Sequence, residues 1–213
     1  MWINFLITFM VSLGILYLVR FRINLKYAAD KTSAAIYPIS REEMNSILIP
    51  TEYKEMKPLT KRTKSYQWVK WGSRGVIIVC IGLIWSVFRT DWLHEFHPIV
   101  LYMFIMLIGS IKHRGNFYLL PDGLILNGYF IPWNRVKEYR VEKIMKFHEL
   151  YGLDEKINHG FKLNLIMKNK WFQRSYIVIR EHNQLQTILS HLKQRGVEGT
   201  MKMDSGFITV QKN

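Results

Sequence analysis

Residues 2–19 have the sequence WINFLITFMVSLGILYLV, which contains no charged side chain. A helix rises about 1.5 Å per residue, so this stretch is long enough to cross a hydrocarbon core of roughly 30 Å. No Lys or Arg precedes it, whereas Arg20 and Arg22 follow it directly, which reverses the charge order of a secretory signal peptide. The stretch therefore predicts an uncleaved transmembrane helix over residues 1–20.

Two further apolar blocks lie near the middle of the chain: GVIIVCIGLIWSVF at residues 75–88 and PIVLYMFIMLIGSI at residues 98–111. Each is short for a membrane span, but neither has a polar face. Trp68 and Trp71 precede the first of them and Trp92 lies between the two, where interfacial aromatic residues are enriched. We expect a transmembrane helical hairpin over residues 74–112. A re-entrant hairpin and a pair of buried soluble helices are the alternatives.

The distribution of charge predicts the orientation of these spans. The net charge is +14, and the basic residues concentrate between the first two apolar blocks and after the third. The linker between the second and third blocks instead carries Arg89 against Asp91 and Glu95. The positive-inside rule then predicts a multi-pass protein of the plasma (inner) membrane, with its N-terminus outside and its C-terminal half in the cytoplasm.

Residues 21–73 are predicted to form a cytoplasmic basic segment, with a short helix over residues 41–48 behind a capping box of Ser40 and Glu43. Basic residues mixed with aromatic residues beside a span are suited to anionic lipid headgroups. A nucleic-acid partner would use the same residue types, but no nucleic-acid motif occurs, so we expect lipid and no nucleic acid. The predicted headgroup contacts are Arg20, Arg22, Lys61, Arg62, Lys64, Lys70, Arg74, Lys112 and Arg114.

After residue 115 the apolar residues alternate with period two, which predicts antiparallel strands. Asn127-Gly128 is a hairpin turn, because both turn positions need positive φ. An amphipathic helix follows, which Asn183 is expected to cap and Gly196 to end. Its apolar stripe consists of Leu185, Ile188, Leu189 and Leu192. The tail, residues 197–213, is expected to add a strand at 207–210 or to stay loose.

The runs LLPDGLI (residues 119–125) and IPWNRVK (residues 131–137) resemble small bacterial membrane proteins with a pleckstrin-homology-like domain. The resemblance covers roughly residues 115–195. It implies three transmembrane helices followed by a cytoplasmic pleckstrin-homology-like antiparallel β domain, residues 115–196, with a C-terminal amphipathic helix. It implies a fold rather than an activity, and it transfers no catalytic residue. Trp133 is interpreted as a core aromatic residue or, if exposed, as part of an interaction surface.

The residues that carry chemistry form no recognisable catalytic pattern. Cys80 is the single cysteine and lies in an apolar block, and His94 and His97 are one residue too close for the His-Glu-x-x-His zinc pattern. We therefore predict no catalytic residue, no metal and no cofactor. No charge lies within the core of a span, which argues against active transport.

The sequence therefore favours a non-enzymatic, membrane-tethered interaction or scaffold module with an unknown protein partner. Two alternatives stay open. One is an immunity protein against a membrane-active peptide. The other is an accessory subunit of a membrane enzyme or transporter that uses the histidines between the second and third blocks.

Overall fold

The computed structural model describes residues 2–50, 53–89, 97–111, 115–168, 176–203 and 206–210. The helices are α1 (Trp2–Lys31), α2 (Arg41–Ser46), α3 (Lys64–Arg89), α4 (His97–Ser110) and α5 (His182–Gln194). The strands are β1 (Ile47–Leu48), β2 (Phe117–Leu119), β3 (Gly123–Leu126), β4 (Tyr129–Pro132), β5 (Val136–Lys143), β6 (Phe161–Met167), β7 (Tyr176–Ile179), β8 (Glu198–Met203) and β9 (Gly206–Val210).

The chain divides into two units, each described by itself. The helical unit consists of residues 1–27 and 60–113, and the β unit consists of residues 28–59 and 114–213. Helices combine with antiparallel and mixed sheets, so the fold belongs to the α+β class.

Each long helix of the helical unit buries a single stripe of side chains. The buried residues are spaced three or four apart, or in one case seven apart, as in helices that pack along one face. They are Ile7, Val11, Leu18, Phe21 and Leu25 on α1, and Tyr66, Val69, Ser73, Val76 and Cys80 on α3. Outside these stripes most of the surface of the apolar stretches remains exposed.

The helix α4 packs against both α1 and α3. A Cβ added at Gly14 of α1 would lie 2.3 Å from Cζ of Phe104 and 2.4 Å from Cδ1 of Ile108, so α4 needs the missing side chain at that position. At Gly72 of α3 an added Cβ would lie 3.9 Å from Cδ1 of Ile111, an ordinary packing distance. The close approach at Gly14 illustrates how a small residue lets two helices come together.

Two described helical stretches, Phe5–Ala34 and Lys64–Trp85, are long and apolar enough to cross a membrane. In each, 22% of the most apolar window is buried, unlike the core helix of a soluble protein. Among the described residues two helices meet this test rather than the predicted three, because α4 has 14 residues. At 1.5 Å per residue α4 covers about 21 Å, less than the roughly 30 Å of a hydrocarbon core.

The β unit contains a six-stranded sheet in the order β1-β7-β6-β5-β8-β9 and a three-stranded sheet in the order β2-β3-β4. All neighbouring strands are antiparallel except β5 and β8, which are parallel. Leu185, Ile188 and Leu192 of α5 are buried, as the apolar stripe predicts, while Leu189 is half-buried.

The turn predicted at Asn127-Gly128 is confirmed, with φ of 53° and 79° at the two positions. The predicted cap of α5 is wrong: the helix begins at His182, and Glu181 occupies the cap position without a side-chain hydrogen bond. Because β7 leads almost directly into the helix, Asn183 lies inside the first turn. The predicted end at Gly196 is confirmed by its φ of 72°.

The strands β2–β7 followed by α5 match the predicted order of antiparallel strands and a helix. The six-stranded sheet, however, includes β1 from before the helical hairpin and β8 and β9 from after α5. The described part of the tail therefore forms two strands, at residues 198–203 and 206–210. A pleckstrin-homology-like fold is not confirmed.

Residues 28–59, hereafter the strap, lie within the predicted basic segment 21–73 but are part of the β unit. The helix α1 continues to Lys31, beyond the predicted end at residue 20. The Ile36 N–H then donates to the Leu119 carbonyl at 2.8 Å, and the Leu119 N–H donates to the Tyr37 carbonyl at 2.7 Å. The strap thereby occupies the outer edge of β2.

Farther along the strap, β1 pairs with β7 and occupies the outer edge of the six-stranded sheet. The capping box of Ser40 and Glu43 is confirmed, but α2 ends at Ser46 rather than at residue 48. Ile47 and Leu48 leave the helix because they pair with Ile179 and Val178. The strap thus covers one edge of each sheet, which removes unpaired backbone groups from those edges.

The role of the strap predicts unequal effects of two truncations within it. Leu48 is 0% exposed and belongs to the core cluster, whereas Ile39 is 74% exposed. Leu48→Ala should destabilise the β unit by about 2–5 kcal/mol, and Ile39→Ala should change its stability by less than about 0.5 kcal/mol. Hydrogen exchange of the β7 amides in the full-length protein measures both. Equal effects of the two substitutions would show that the strap does not pack into the β unit.

Candidate membrane-interface site

The N-terminal end of α3 carries several of the predicted headgroup contacts. A turn at residues 60–63 leads into the helix, and the Thr63 hydroxyl donates to the Thr60 carbonyl at 2.7 Å. The Gln67 side-chain amide donates to the Lys61 carbonyl at 2.6 Å, and the Gln67 N–H donates to the Thr63 carbonyl at 3.0 Å. These bonds fix the basic turn against the first turn of the helix.

The side chains at the N-terminal end of α3 are positively charged, and a helix N-terminus disfavours positive charge. Backbone N–H groups give a helix N-terminus a partial positive charge, which acidic side chains usually offset. The first turn of α3 has no acidic residue, and Lys61, Arg62 and Lys64 lie at or before it. An external anion would therefore lower the electrostatic energy of this end.

One exposed stripe of α3 begins with a cation, continues with two tryptophans and then contains only uncharged residues up to a third tryptophan. Its members, spaced alternately four and three apart, are Lys64, Trp68, Trp71, Gly75, Ile78, Gly82 and Trp85. Trp68 and Trp85 are separated by roughly 25 Å along the axis at 1.5 Å per residue, close to the thickness of a hydrocarbon core. The stripe has the polarity gradient of a helix that runs from headgroups into lipid.

Trp71 connects the aromatic and cationic parts of the site. Its indole is 61% exposed, and the Arg74 guanidinium carbon lies 4.7 Å from the ring centroid. The Lys70 ammonium nitrogen lies 5.8 Å from the same centroid. Cation–π contacts at exposed sites contribute about 0.5–1 kcal/mol each. They hold both cations beside an exposed ring, the arrangement expected of residues at a headgroup boundary.

The remaining predicted headgroup contacts occupy two other places. Arg20 is exposed and Arg22 half-buried on α1, directly after its apolar stretch. Lys112 and Arg114 lie outside the described residues. The structure therefore brings Lys70 and Arg74 together at Trp71, and it places Lys61, Arg62 and Lys64 at the start of the same helix.

Trp133 is half-buried in a one-turn 3-10 helix in the β unit. Its indole N–H is shared between the carbonyls of Leu120 and Pro121, each at 3.2 Å. The residue therefore fastens the turn between β2 and β3 to the end of β4. This internal role favours the interpretation of Trp133 as a packing residue over that of an interaction surface.

A charged cluster that the sequence does not reveal lies between β5, β6 and the loop that joins them. Lys162 of β6, with a side chain 11% exposed, contacts Oε1 of Glu149 at 2.6 Å and Oε2 of Glu142 at 3.3 Å. His148 Nε2 lies 3.2 Å from Oε2 of Glu142. Because His148 Nδ1 accepts the Leu150 N–H at 3.1 Å, its ring proton is on Nε2 and is donated to Glu142.

The pKa values of this cluster follow from its contacts. Burial alone would raise the pKa of Glu142, but the hydrogen bond from His148 and the charge of Lys162 outweigh burial and lower it. Burial alone would lower the pKa of Lys162, but its contacts with Glu149 and Glu142 outweigh burial and raise it. Both groups are therefore held in their charged forms, which suits a structural clamp rather than a proton donor or acceptor.

Tyr139 of β5 is the other polar group of note in the β unit. Its side chain is 1% exposed, and its hydroxyl has no hydrogen-bond partner in the described part of the chain. Burial raises the pKa of this hydroxyl. A Cβ at Gly199 of β8 would come within 2.2 Å of the Tyr139 ring, so the glycine makes room for the ring between paired strands.

The described residues contain no group of three or more His, Cys, Asp or Glu side chains that could hold a metal ion. His94 and the side chain of His97 lie outside what the structure describes. No known protein family, curated protein or solved structure matches the chain.

The interface site predicts that anionic lipid stabilises the protein through three cations of α3. In anionic nanodiscs, Lys64→Gln, Lys70→Gln and Arg74→Gln combined should remove about 1 kcal/mol of lipid-dependent stabilisation for each charge lost. Thermal unfolding by circular dichroism in anionic and zwitterionic nanodiscs measures the difference. The matched control is Lys156→Gln, Lys193→Gln and Arg195→Gln combined, which removes three exposed cations of the β unit. If both triple variants lose the same lipid-dependent stabilisation, the cations of α3 do not bind anionic lipid more strongly than other exposed cations.

Proposed function

We propose that the protein is a non-enzymatic membrane tether that holds its β unit at the cytoplasmic face of the plasma membrane to meet a protein partner. The observation that carries this proposal is the exposed surface of the helical unit. Its exposed large apolar side chains include Phe5, Leu6, Phe9, Leu13, Leu16, Ile78, Val79, Ile81, Met103, Ile105 and Met106. Contiguous apolar surface on three packed helices is unusual in water and ordinary in hydrocarbon.

The connections of the β unit support a crossing by a hairpin. The Asn116 side-chain amide donates to the Lys57 carbonyl at 2.9 Å, and the Leu59 N–H donates to the Tyr118 hydroxyl at 3.0 Å. The chain thus leaves the β unit and returns to it at neighbouring points. A folded unit occupies one side of a bilayer, so residues 60–113 cross it an even number of times. If α3 crosses outward, the chain must cross back before it rejoins the β unit at Asn116.

The first helix supports a third crossing on the same argument. Because α1 is continuous from Trp2 to Lys31 and its last residues belong to the β unit, a crossing by α1 places the N-terminus on the opposite side. Lys31 forms an ion pair with Asp122, and its ammonium nitrogen lies 4.0 Å from the Phe130 ring centroid. These contacts fasten the end of the helix to the β2–β4 sheet. The positive-inside rule then assigns the β unit to the cytoplasm.

The β unit is proposed to bind rather than to catalyse. Its charged cluster consists of clamped ion pairs, and its buried tyrosines have pKa values raised by burial, which makes them poor nucleophiles. In the strand orders of the two sheets, β4 and β9 stand at the edges opposite the strap, and a partner that adds a strand is proposed to pair there.

Cysteine labelling in spheroplasts tests the proposed tether. In a Cys80→Ala background, a membrane-impermeant maleimide should label Trp2→Cys in intact spheroplasts. It should label Ser33→Cys and Ser190→Cys only after lysis, because the strap and α5 share one folded unit on the inside. All three positions are exposed. Labelling of Ser33→Cys and Ser190→Cys from opposite sides would contradict the proposal, as would labelling of both in intact spheroplasts.

A further inference from the structure

The loop between β5 and β6 exposes several large apolar side chains. Phe147 is 96% exposed, Leu153 is 60% exposed and Tyr151 is 38% exposed. No other large apolar residue of the described β unit is as exposed as Phe147. The interface site on α3 does not account for this second apolar surface.

The loop is firmly attached at its base, so the exposure of Phe147 does not come from a missing anchor. Ile144, Leu150 and Ile157 are buried in one cluster with residues of the strap and β7. The Ile144 N–H donates to the Gly160 carbonyl at 2.8 Å, and the Lys162 clamp holds the segment between them. The loop presents its tip from a packed platform.

The backbone at Phe147 has a φ of 81°. A bulky residue rarely adopts this left-handed conformation, which costs free energy because Cβ approaches the following carbonyl. The ring gains almost no contact with the β unit in return, since it is nearly fully exposed. Strain that no internal packing offsets is found most often at functional positions.

The lysines near the loop differ in whether they bind a carboxylate. Lys162 binds the carboxylates of Glu142 and Glu149. Lys143 and Lys146 are exposed and make no ion pair within the described residues, and the Lys146 ammonium nitrogen lies 5.9 Å from the Phe147 ring centroid. The acidic residues beyond Leu153 are at the other end of the loop, where the Asp154 carboxylate accepts the Lys156 N–H at 2.8 Å. Lys146 therefore lies beside the aromatic ring at the tip, and Lys143 is exposed at the end of β5, where the loop begins.

We propose that the Phe147 tip inserts into the headgroup region of an anionic bilayer, with Lys143 and Lys146 on the lipid phosphates. The inference rests on the proposed tether, which keeps the loop within reach of a bilayer. One ring, one leucine and two cations would bind lipid weakly from solution, but tethering turns insertion into an intramolecular step. The insertion would give the β unit a second membrane contact, separate from α3.

Quenching by spin-labelled lipids tests this insertion in the full-length protein reconstituted into vesicles. An NBD fluorophore is attached through Tyr151→Cys in a Cys80→Ala background, which keeps Phe147 and both lysines. The control fluorophore is attached through Ser190→Cys on the exposed face of α5. In anionic vesicles the loop fluorophore should be quenched roughly twofold more than the control, as expected for residues at headgroup depth. In zwitterionic vesicles the difference should shrink.

The Phe147→Asn variant then separates insertion from proximity. Asn tolerates a left-handed φ better than Phe, so the loop keeps its shape and loses only the ring. Quenching of the loop fluorophore should fall to the level of the control. If, with Phe147 present, the loop fluorophore is quenched no more strongly than the control fluorophore, the proposal is overturned, and the tip would instead bind a protein partner. Quenching that survives Phe147→Asn would also overturn it. Loss of the protein from the vesicles on flotation would instead overturn the tether itself.

Discussion

The exposed surface of the helical unit is suited to hydrocarbon rather than to water. On each long helix one stripe of side chains contacts the neighbouring helices, and the opposite face is apolar and exposed. In water such surface would drive association, because roughly 25 cal/mol is lost for each Å² of apolar area left exposed. In a bilayer the same surface is neutral. The polarity gradient along α3, from Lys64 through Trp71 to Ile78, matches the boundary between headgroups and acyl chains.

The β unit is assembled from chain segments on both sides of the helical hairpin. The strap covers the edges of β2 and β7, and its end is bonded to the residues that follow the hairpin. Residues 60–113 are therefore inserted between two segments of the β unit, and the helix α1 runs from the helical unit into the β unit. Removing residues 1–113 to obtain a soluble domain would delete Leu48 and expose two sheet edges and the core around Ile144 and Val178.

Local sequence patterns were sufficient to predict the elements that form through contacts between neighbouring residues. The Asn127-Gly128 turn, the Ser40–Glu43 capping box and the apolar stripe of α5 depend on neighbouring residues and could be predicted. The strap could not, because β1 is a two-residue strand that exists only through its pairing with β7. The parallel pairing of β5 with β8 and the clamp on Lys162 likewise join residues distant in sequence. On α3, the tryptophans and bases were enough to predict a candidate interface, but the contact of Arg74 with Trp71 required the structure.

Alkaline extraction of isolated membranes tests most directly whether hydrocarbon surrounds the helices. Carbonate at high pH removes peripheral proteins and leaves proteins that cross the bilayer. After extraction without detergent and high-speed sedimentation, the full-length chain should be found in the pellet, and detergent should release it. Recovery of the folded chain in the supernatant would contradict the account, since the apolar faces of α1 and α3 would then be stable in water.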